Sequence, residues 1–332
     1  MEVSAYTADD LYEELWHRMH HHGVTQDSRN GKVTTIRSPV LATLHDPRDR
    51  IVYNSARNCS PFFHVAETVW MLAGSDDVRF VEKFNKRYRE YADEETDIVW
   101  GAYGARWQHP RDQIQDVIHI LRHDPLSRQA VLSMWEAGLD LDTPAHNDRP
   151  CNTHIYFRVY EDQLHMTVCN RSNDLVWGMM GANVVHFTIL QELITNALGL
   201  ELGRYQVMTN NLHVYHGLPR YDEVKHGALY AVHHPVPGLD DHVSILNKGE
   251  VWADLQDDCE TYIRWTLQGE SRVSIPYKTM WMSGTAHYMM EAYLEGPGDA
   301  RNQLIECIED PRWRHACQQW VQRNNKDANV GR

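Results

Sequence analysis

Residues 150–174 have the sequence PCNTHIYFRVYEDQLHMTVCNRSND, whose pattern is the main indication of the expected fold. Apolar and polar residues alternate over 153–160 and again over 164–168, with a short polar segment between the two runs. Such alternation on both sides of a turn predicts a β-hairpin. Antiparallel neighbours bring the two open ends of a hairpin together. We therefore expect Cys151, at the start of the first strand, to lie beside Arg171, at the end of the second.

Periodic apolar residues on both sides of the hairpin predict further elements. Helical spacing is present at 11–19, 62–72, 114–121 and 183–197, with charged helical residues at 79–91 and weaker stripes at 252–265 and 304–321. Apolar or β-branched runs predict strands at 33–36, 130–135, 203–207 and 212–215. Residues 26–32 are polar and include a glycine, so a loop is expected there. With neither an internal repeat nor a linker, residues 1–332 are predicted to form one domain.

The composition is that of a globular protein with an acidic surface. The chain has 332 residues, of which 42% are hydrophobic and 23% charged, and its net charge is −14. A basic face, which nucleic-acid binding proteins usually carry, is not visible, so a nucleic-acid partner is not expected. No apolar run approaches the roughly 18 residues that a membrane span needs, and residues 1–10 lack a signal-peptide pattern. We therefore expect a soluble intracellular protein.

The sequence predicts neither a metal site nor a disulfide framework. The six cysteines are scattered and no CxxC spacing occurs. The three consecutive histidines 20–22 follow a predicted helix, and adjacent helical residues do not face one site.

Two charged residues stand out by their local context. Glu67 lies within an otherwise apolar helix, where a carboxylate is costly to bury unless it is paired. The alternatives are a buried functional carboxylate and one that faces water, and the local sequence leaves both open. Arg29 lies in the polar loop, where local context favours a solvated charge over an anion ligand.

Taken together, the motifs resemble those of the superfamily of thymidylate synthases and pyrimidine nucleotide hydroxymethylases. The resemblance covers roughly residues 10–216. Its specific blocks are Pro150-Cys151 and Asn170-Arg171-Ser172-Asn173-Asp174, and it is extended by Asp27-Ser28-Arg29, Glu67 with Trp70, Tyr103-Gly104 with Trp107, Asp124-Pro125 with Ser127-Arg128, Asn183, and His213-Val214-Tyr215.

The resemblance implies an α+β fold in which a large twisted sheet, mixed or mostly antiparallel, is flanked by helices. One face of that sheet would form a homodimer interface, and the part from about residue 217 would diverge from the family. The implied ligands are a pyrimidine nucleoside monophosphate and 5,10-methylenetetrahydrofolate, without a metal. The implied location is the cytosol of a bacterial cell or of a phage-infected host.

The resemblance also implies a covalent mechanism. The thiolate of Cys151 would add to C6 of the pyrimidine ring, which makes C5 nucleophilic towards the one-carbon unit of the folate. Nearby Arg171 is expected to lower the pKa of this thiol. Glu67 would relay protons through water.

The implied roles divide into four sets. The implied catalytic residues are Cys151, Glu67, Asn183 and Asp174. The 5′-phosphate would be bound by Arg29, Arg171, Ser172 and, from the second subunit, Arg128. The base and the sugar would be bound by Asn170, Asn183, His213 and Tyr215, and the folate by Asp174, Tyr88, Trp100 and Tyr103.

Departures from the synthase pattern bear on the product. Asn152 stands where synthases have a histidine. Tyr88 or Tyr91 stands where synthases pack a tryptophan against the folate. Residues 325–332 lack the apolar terminus with which synthases exclude solvent from the site. A wetter site favours water over hydride, and thus a hydroxymethyl over a methyl group. Gln129 stands where synthases usually have a second arginine for the phosphate. The segment before Asn183 has one residue more than the synthase spacing.

The sequence therefore favours a hydroxymethylase, with a methyl-forming thymidylate synthase as the alternative. An amide at 183 suits the O4 and N3–H groups of uracil, which favours deoxyuridylate, while deoxycytidylate and cytidylate stay open. Two further hypotheses remain. One is a non-catalytic nucleotide- or RNA-binding protein of the same fold, and the other is that Cys151 is a buried strand-end thiol and Arg171 an ordinary surface charge.

Overall fold

The computed structural model describes residues 1–93, 95–141, 148–230 and 242–330. The strands in these ranges are β1 (Glu2–Ala5), β2 (Val24–Ser28), β3 (Gly31–Thr35), β4 (Val40–Leu44), β5 (Val131–Ser133), β6 (Asn152–Tyr160), β7 (Gln163–Asn170), β8 (Asn173–Asp174), β9 (Glu201–Thr209) and β10 (Leu212–Tyr215). The predicted hairpin is confirmed as β6 and β7, whose antiparallel register pairs Asn152 with Asn170.

Helices surround these strands. They are α1 (Ala8–His22), α2 (Pro61–Leu72), α3 (Val78–Val81), α4 (Tyr103–Gln108), α5 (Gln113–His123), α6 (Ala137–Asp140), α7 (Val184–Leu198), α8 (Tyr221–Leu229), α9 (Trp252–Gln268), α10 (His287–Glu295), α11 (Asp299–Glu306) and α12 (Pro311–Val330). Short 3-10 turns occur at Lys86–Tyr91 and Arg272–Ser274, and π-helical segments at Leu175–Asn183 and Met282–Ala286.

The strands form two sheets. The larger sheet is mixed and has the order β1-β4-β9-β7-β6-β5, with β7 and β9 parallel and β6 and β7 antiparallel. The smaller sheet has the order β2-β3-β10-β8. The α+β class and the mixed sheet flanked by helices are thus confirmed, whereas the single large sheet is divided because β10 pairs with β3 instead of continuing beside β9.

Three local predictions were wrong. Residues 26–32 form most of the β2–β3 hairpin instead of a loop, because exposed polar residues on an edge strand hide the usual alternation. The helix expected over 79–91 is divided into α3 and a 3-10 turn, where the side chain of Asn85 accepts a hydrogen bond from the backbone of Arg87. The stripe over 304–321 is broken where Asp310 caps a new helix by accepting from the backbone of Arg312.

Helix α2 is the central helix of the core, and the carboxylate at position 67 lies on it. Eleven of its twelve residues are buried, and α7, α9, α10 and α12 pack against it. Ser60 caps its start by accepting a hydrogen bond from the backbone of Phe63. Its end touches α4 closely, since a Cβ placed on Gly104 would lie 1.9 Å from the carbonyl oxygen of Met71. The C-terminal helices therefore enclose the helix that presents Glu67.

In the ranges that the structure describes, no helix is both long and apolar enough to cross a bilayer.

Candidate active site

Cys151 and Arg171 lie side by side at the open end of the β6–β7 hairpin, as predicted. The backbone N–H of Arg171 donates to the carbonyl of Cys151 over 2.9 Å. The guanidinium donates through Nε to the carbonyl of Pro150 and through Nη2 to that of Arg149, each over 3.0 Å. It also lies 5.7 Å from the ring of Trp135. One arginine thus fixes the backbone that carries the thiol.

The thiol of Cys151 is not as acidic as the sequence suggested. Burial raises its pKa, Arg171 lowers it, and the carboxylates of Asp148 and Asp174 raise it further. The expected net lowering of the pKa is therefore wrong, because desolvation and two carboxylates outweigh the guanidinium. The thiol stays protonated at neutral pH unless this balance changes.

Tyr103 connects Cys151 with Glu67. Burial raises the pKa of the Tyr103 phenol well above its ordinary value, and the charges of Cys151, Asp148 and Glu67 raise it further. Its ring stacks on Phe187 at 5.8 Å between centroids. The backbone of Asn152, next to Cys151, hydrogen-bonds to this phenol, and Phe187 follows His186, which lies 3.3 Å from Glu67. The thiol and the carboxylate therefore lie around one shared site.

Glu67 is buried, and its two oxygens face different side chains, of which only one is hydrogen-bonded to it. Tyr88 donates to Oε1 over 2.6 Å, and Nε2 of His186 lies 3.3 Å from Oε2. Burial and the charge of Glu67 raise the pKa of Tyr88 well above its ordinary value, so its phenol keeps the proton that it donates. The buried carboxylate is the alternative that the structure selects over a solvated one.

Four asparagines form two hydrogen-bonded pairs of amides. Asn152 donates through Nδ2 to the carbonyl of Cys169 over 3.0 Å and to Oδ1 of Asn170 over 3.1 Å. Asn183 donates to Oδ1 of Asn173 over 3.4 Å. All four asparagines are buried, which places amide donors and acceptors where a base edge could use them.

The additional residue before Asn183 is taken up by the π-helical segment Leu175–Asn183. A π-helix has one more residue in each hydrogen-bonded turn than an α-helix, and the backbone leaves helical angles at Met180 and Gly181. Gly178 permits the close approach, since a Cβ there would lie 2.6 Å from Oδ1 of Asn173. The segment thereby brings Asn183 to Asn173 despite the insertion.

Asp174 and His213 are brought together by the smaller sheet, in which β8 and β10 pair them directly. Oδ1 of Asp174 accepts hydrogen bonds from the backbone of Val176 over 2.8 Å and Trp177 over 2.5 Å. Burial raises the pKa of Asp174 even though these bonds and His213 oppose the shift. The ring of His213 meets that of Tyr215 edge-on at 4.9 Å.

Two groups that the sequence analysis did not single out belong to the same site. Asp148 precedes Cys151 by three residues, and burial raises the pKa of its carboxyl while Arg171 and Arg106 lower it. His186 is buried on α7 beside Glu67. The signal that drew attention to Glu67, a polar residue within an apolar helix, applies equally to His186.

An exposed aromatic surface lies at the margin of this site. The ring of Trp177 is 44% exposed, and the guanidinium groups of Arg57 and Arg87 lie 5.2 and 5.5 Å from its centroid. Arg57 is also fixed by donating to the carbonyl of Val176 over 2.8 Å through Nη2. This surface offers a flat ring and two cations to an aromatic anion.

Other candidate residues lie further out. Arg29 is exposed at the β2–β3 turn, with Asn30 as its side-chain partner. Arg128 is exposed and Ser172 partly buried, while the guanidinium of Arg106 covers the ring of Trp100 at 5.1 Å. Across the described ranges, no group of three His, Cys, Asp or Glu side chains is placed to hold a metal ion.

Known proteins resemble more than half of this chain. The family model described as thymidylate synthase matches residues 10–248, beyond residue 216, where the sequence resemblance ended. The chain is 40% identical over 205 residues to the deoxyuridylate hydroxymethyltransferase of Pseudomonas phage M6, covering 61% of this chain and 58% of the relative. It is 35% identical over 218 residues to the protein of the same name from Bacillus phage SP01, covering 62% and 56%.

A third relative, the deoxyuridylate hydroxymethyltransferase of Delftia phage PhiW-14, is 36% identical over 205 residues, covering 58% of this chain and 56% of its own length. The chain thus spans just over half the length of these curated relatives. The family match covers more than half of the chain and includes Cys151, Glu67 and His213. The chain therefore belongs to the thymidylate synthase family.

Proposed function

We propose that the chain is a folate-dependent deoxyuridylate hydroxymethylase, acting in the cytosol of a bacterium or of a phage-infected host. The observation that carries the proposal is the position of Tyr103, whose phenol hydrogen-bonds to the backbone of Asn152 beside Cys151 and whose ring stacks on Phe187, next to the His186 that lies 3.3 Å from Glu67. It supports a nucleophile and a proton-transfer group at one bound ring. The names of the three phage relatives support deoxyuridylate as the substrate and a hydroxymethyl group as the product.

The proposed first step is addition of the Cys151 thiolate to C6 of the pyrimidine. A bond forms between sulfur and C6, and the electrons of the C5–C6 double bond move towards O4, so C5 becomes nucleophilic. Arg171 favours the thiolate, but it does so against burial and two carboxylates. A bound phosphate is an anion and would not favour the thiolate, so the thiol proton would pass to a base near the sulfur or to water.

Glu67 is proposed to move protons at the C4 side of the ring and at the one-carbon unit. Its carboxylate is buried and held through Oε1 by Tyr88. A fixed carboxylate within reach of the ring can accept and return protons without paying for solvent reorganisation. Tyr88 is therefore a positioning residue for Glu67 in this scheme.

Nucleotide recognition is assigned to residues around the hairpin's open end. Asn183 would pair with the edge of the uracil, since an amide both donates and accepts. Arg171 keeps N–H groups beyond the two that bind Pro150 and Arg149, and with Ser172 these suit the 5′-phosphate. His213 and Tyr215 would bind the sugar hydroxyl, and Asn170 would support the base. Arg29 and Arg128 would have to reach this phosphate from exposed positions.

Methylenetetrahydrofolate, when bound, would supply the one-carbon unit. The residues present fit such a group, because Trp177 exposes an aromatic face between Arg57 and Arg87. The ring of Trp177 would stack on the aromatic rings of a folate, and the two guanidinium groups would bind its carboxylates. Asp174, Tyr88, Trp100 and Tyr103 stay assigned to the same molecule, with Asp174 as acceptor for its ring N–H groups.

The polar lining supports hydration over hydride transfer. Tyr88, Asp148 and His186 bring a phenol, a carboxyl and an imidazole to the surroundings of Glu67 and Cys151. Groups of this kind hold water through hydrogen bonds. A site that retains water favours its addition to a methylene carbon at C5.

The test incubates the protein with methylenetetrahydrofolate and, separately, deoxyuridylate, deoxycytidylate and cytidylate, followed by mass analysis. The expected result is a hydroxymethyl group on deoxyuridylate. A methyl group, together with dihydrofolate in the absorbance trace, would support the thymidylate synthase instead. Failure to form a covalent ternary complex with 5-fluorodeoxyuridylate would favour a non-catalytic binding protein.

A homodimer is part of the proposal, with one face of the larger sheet as its interface. On that face Tyr156 and Met208 are 45% and 37% exposed, and the alternate residues of β6 and β9 are buried. Arg128 would act across the interface.

Mixing inactive Cys151→Ala and Arg128→Ala homodimers should restore roughly a quarter of the activity, because half of the random dimers contain one complete site. A monomer in sedimentation, or no recovery on mixing, would contradict this assembly.

A further inference from the structure

Glu67 and His186 bring two polar atoms close together, but no hydrogen bond joins these atoms. Oε2 of Glu67 and Nε2 of His186 are both buried and have no hydrogen-bond partner among the described residues. They lie 3.3 Å apart, and the side chains are 10% and 4% exposed. Oε1 is taken by Tyr88, so the remaining oxygen of the carboxylate is the one that meets the imidazole.

Buried polar atoms without partners are uncommon and costly. A small molecule that donates to Oε2 and also bonds with Nε2 would satisfy both atoms at once. Water fits this chemistry, because it can donate to the carboxylate and either donate to or accept from a ring nitrogen. The surroundings favour a fixed position, since α2 and α7 are packed helices of the core.

We propose that His186, together with Glu67, binds and orients the water that adds to the nucleotide. The inference rests on the proposed hydroxymethylase function and adds a second protein group to its final step. His186 would contact the reacting water directly, which makes it a catalytic residue of the hydration step. The earlier addition of Cys151 to C6 would not involve it.

The hydration step balances without an oxidant or a reductant. After the one-carbon unit has joined C5 and its carrier has left, a methylene carbon is doubly bonded to C5, and Cys151 is still attached to C6. The water oxygen bonds to the methylene carbon, one water proton passes to Glu67 or His186, and the double-bond electrons move to O4. Their return forms the C5–C6 double bond and breaks the C6–S bond, which releases the thiolate and the hydroxymethyl nucleotide.

A competing nucleophile separates hydration from the earlier steps. A small thiol such as 2-mercaptoethanol can add to the same methylene carbon and leave a thioether on the nucleotide. As its own thiolate it is a strong nucleophile that needs no bound base. The ratio of hydroxymethyl to thioether product therefore reports the water step alone, and mass analysis measures both products in one sample.

The test compares wild type with His186→Leu and His186→Gln at one thiol concentration. We expect the leucine variant to lower the hydroxymethyl-to-thioether ratio by on the order of 10²-fold, the lower range for a general acid or base. The glutamine variant, which can still hydrogen-bond water, should give an intermediate ratio. Thr188→Ala is the matched control: Thr188 is as deeply buried on the same helix, bonds to its own backbone turn, and should keep the wild-type ratio.

Formation of the covalent complex with 5-fluorodeoxyuridylate and the folate shows that each variant is folded and that Cys151 works. If the leucine variant does not form it, His186→Ala is measured in its place with the same expectation. A wild-type ratio in the folded apolar variant overturns the role of His186 while leaving the proposed function intact. Wild type that makes no hydroxymethyl product overturns both.

Discussion

Tyr88 donates its phenolic proton to Oε1 of Glu67 across 2.6 Å. The two residues come from different elements, a 3-10 turn and α2, and the ring of Tyr88 packs against those of Phe63, Trp70 and Tyr91. A hydrogen bond to a charged group contributes about 1.5–3 kcal/mol, and about 1.4 kcal/mol corresponds to tenfold in rate. This bond is therefore strong enough to decide how the carboxylate is oriented.

Replacing this phenol should slow turnover without preventing nucleotide capture. We expect Tyr88→Phe to lower hydroxymethyl nucleotide formation roughly 10- to 100-fold, because the buried carboxylate loses its donor. The fluorinated nucleotide should still form its covalent complex. Tyr205→Phe is the control, since the buried Tyr205 hydroxyl has no hydrogen-bond partner among the residues that the structure describes and its loss should leave the rate within about twofold. An unchanged rate in Tyr88→Phe would remove its assigned positioning role.

The assignment of the nucleophile predicts a difference between two neighbouring cysteines. Cys151→Ala should abolish both product formation and the covalent complex, because no sulfur remains to add to C6. Cys169, on the adjacent strand, contributes its carbonyl to Asn152, and this contact survives Cys169→Ala. Mass analysis of the intact protein should therefore show the nucleotide adduct in the second variant and not in the first. The reverse pattern would move the nucleophile to Cys169.

The acidity of the thiol offers a pH-dependent test. Asp148 raises the pKa of Cys151, so Asp148→Asn should lower it and increase the thiolate fraction at pH 8. One unit of pKa changes that fraction about tenfold, so iodoacetamide should alkylate Cys151 about 3- to 10-fold faster. The rate is read by peptide mass analysis, with Cys151→Ala to identify the peptide. Arg171→Gln should act in the opposite direction, and equal rates in all three proteins would contradict this electrostatic account.

The hairpin, α2 and α7 could be predicted from sequence because their signals are local. Alternation over β6 and β7 fixes their pairing, and that pairing alone brings Cys151 to Arg171. Asp148 was missed because its effect on Cys151 arises only from folding. His186 shares the local signal of Glu67, but its contact with that carboxylate is supplied by the fold. The same reason explains the acidity of Cys151: the adjacent arginine is visible in the sequence, whereas burial and the carboxylate at 174 arise only from the fold.

A buried ion-pair network away from the site should control stability. Arg50 pairs with Glu192, which also accepts from His242 over 2.6 Å, and Asp310 lies 3.5 Å from the other side of that imidazole. Burial acts to raise the pKa of Glu192, but Arg50 and His242 outweigh it and lower it from 4.5 to about 2. Its contribution is thus fully present above pH 4.5 and is lost as the pH falls from there towards 2.

His242 responds in the opposite direction. Although burial opposes it, Asp310 and Glu192 raise the pKa of His242 above 6.5, so its stabilisation is present below pH 6.5 and lost as the pH rises through the higher value. Glu192→Gln leaves Arg50 buried without its counter-charge, which should cost about 3–5 kcal/mol at pH 6. In urea titrations the difference from wild type should shrink between pH 4.5 and 3. The exposed pair of Arg18 and Glu14 is the control, because Glu14→Gln should change the free energy of unfolding by less than about 1 kcal/mol. If Glu192→Gln has an equally small effect, the buried network does not stabilise the fold.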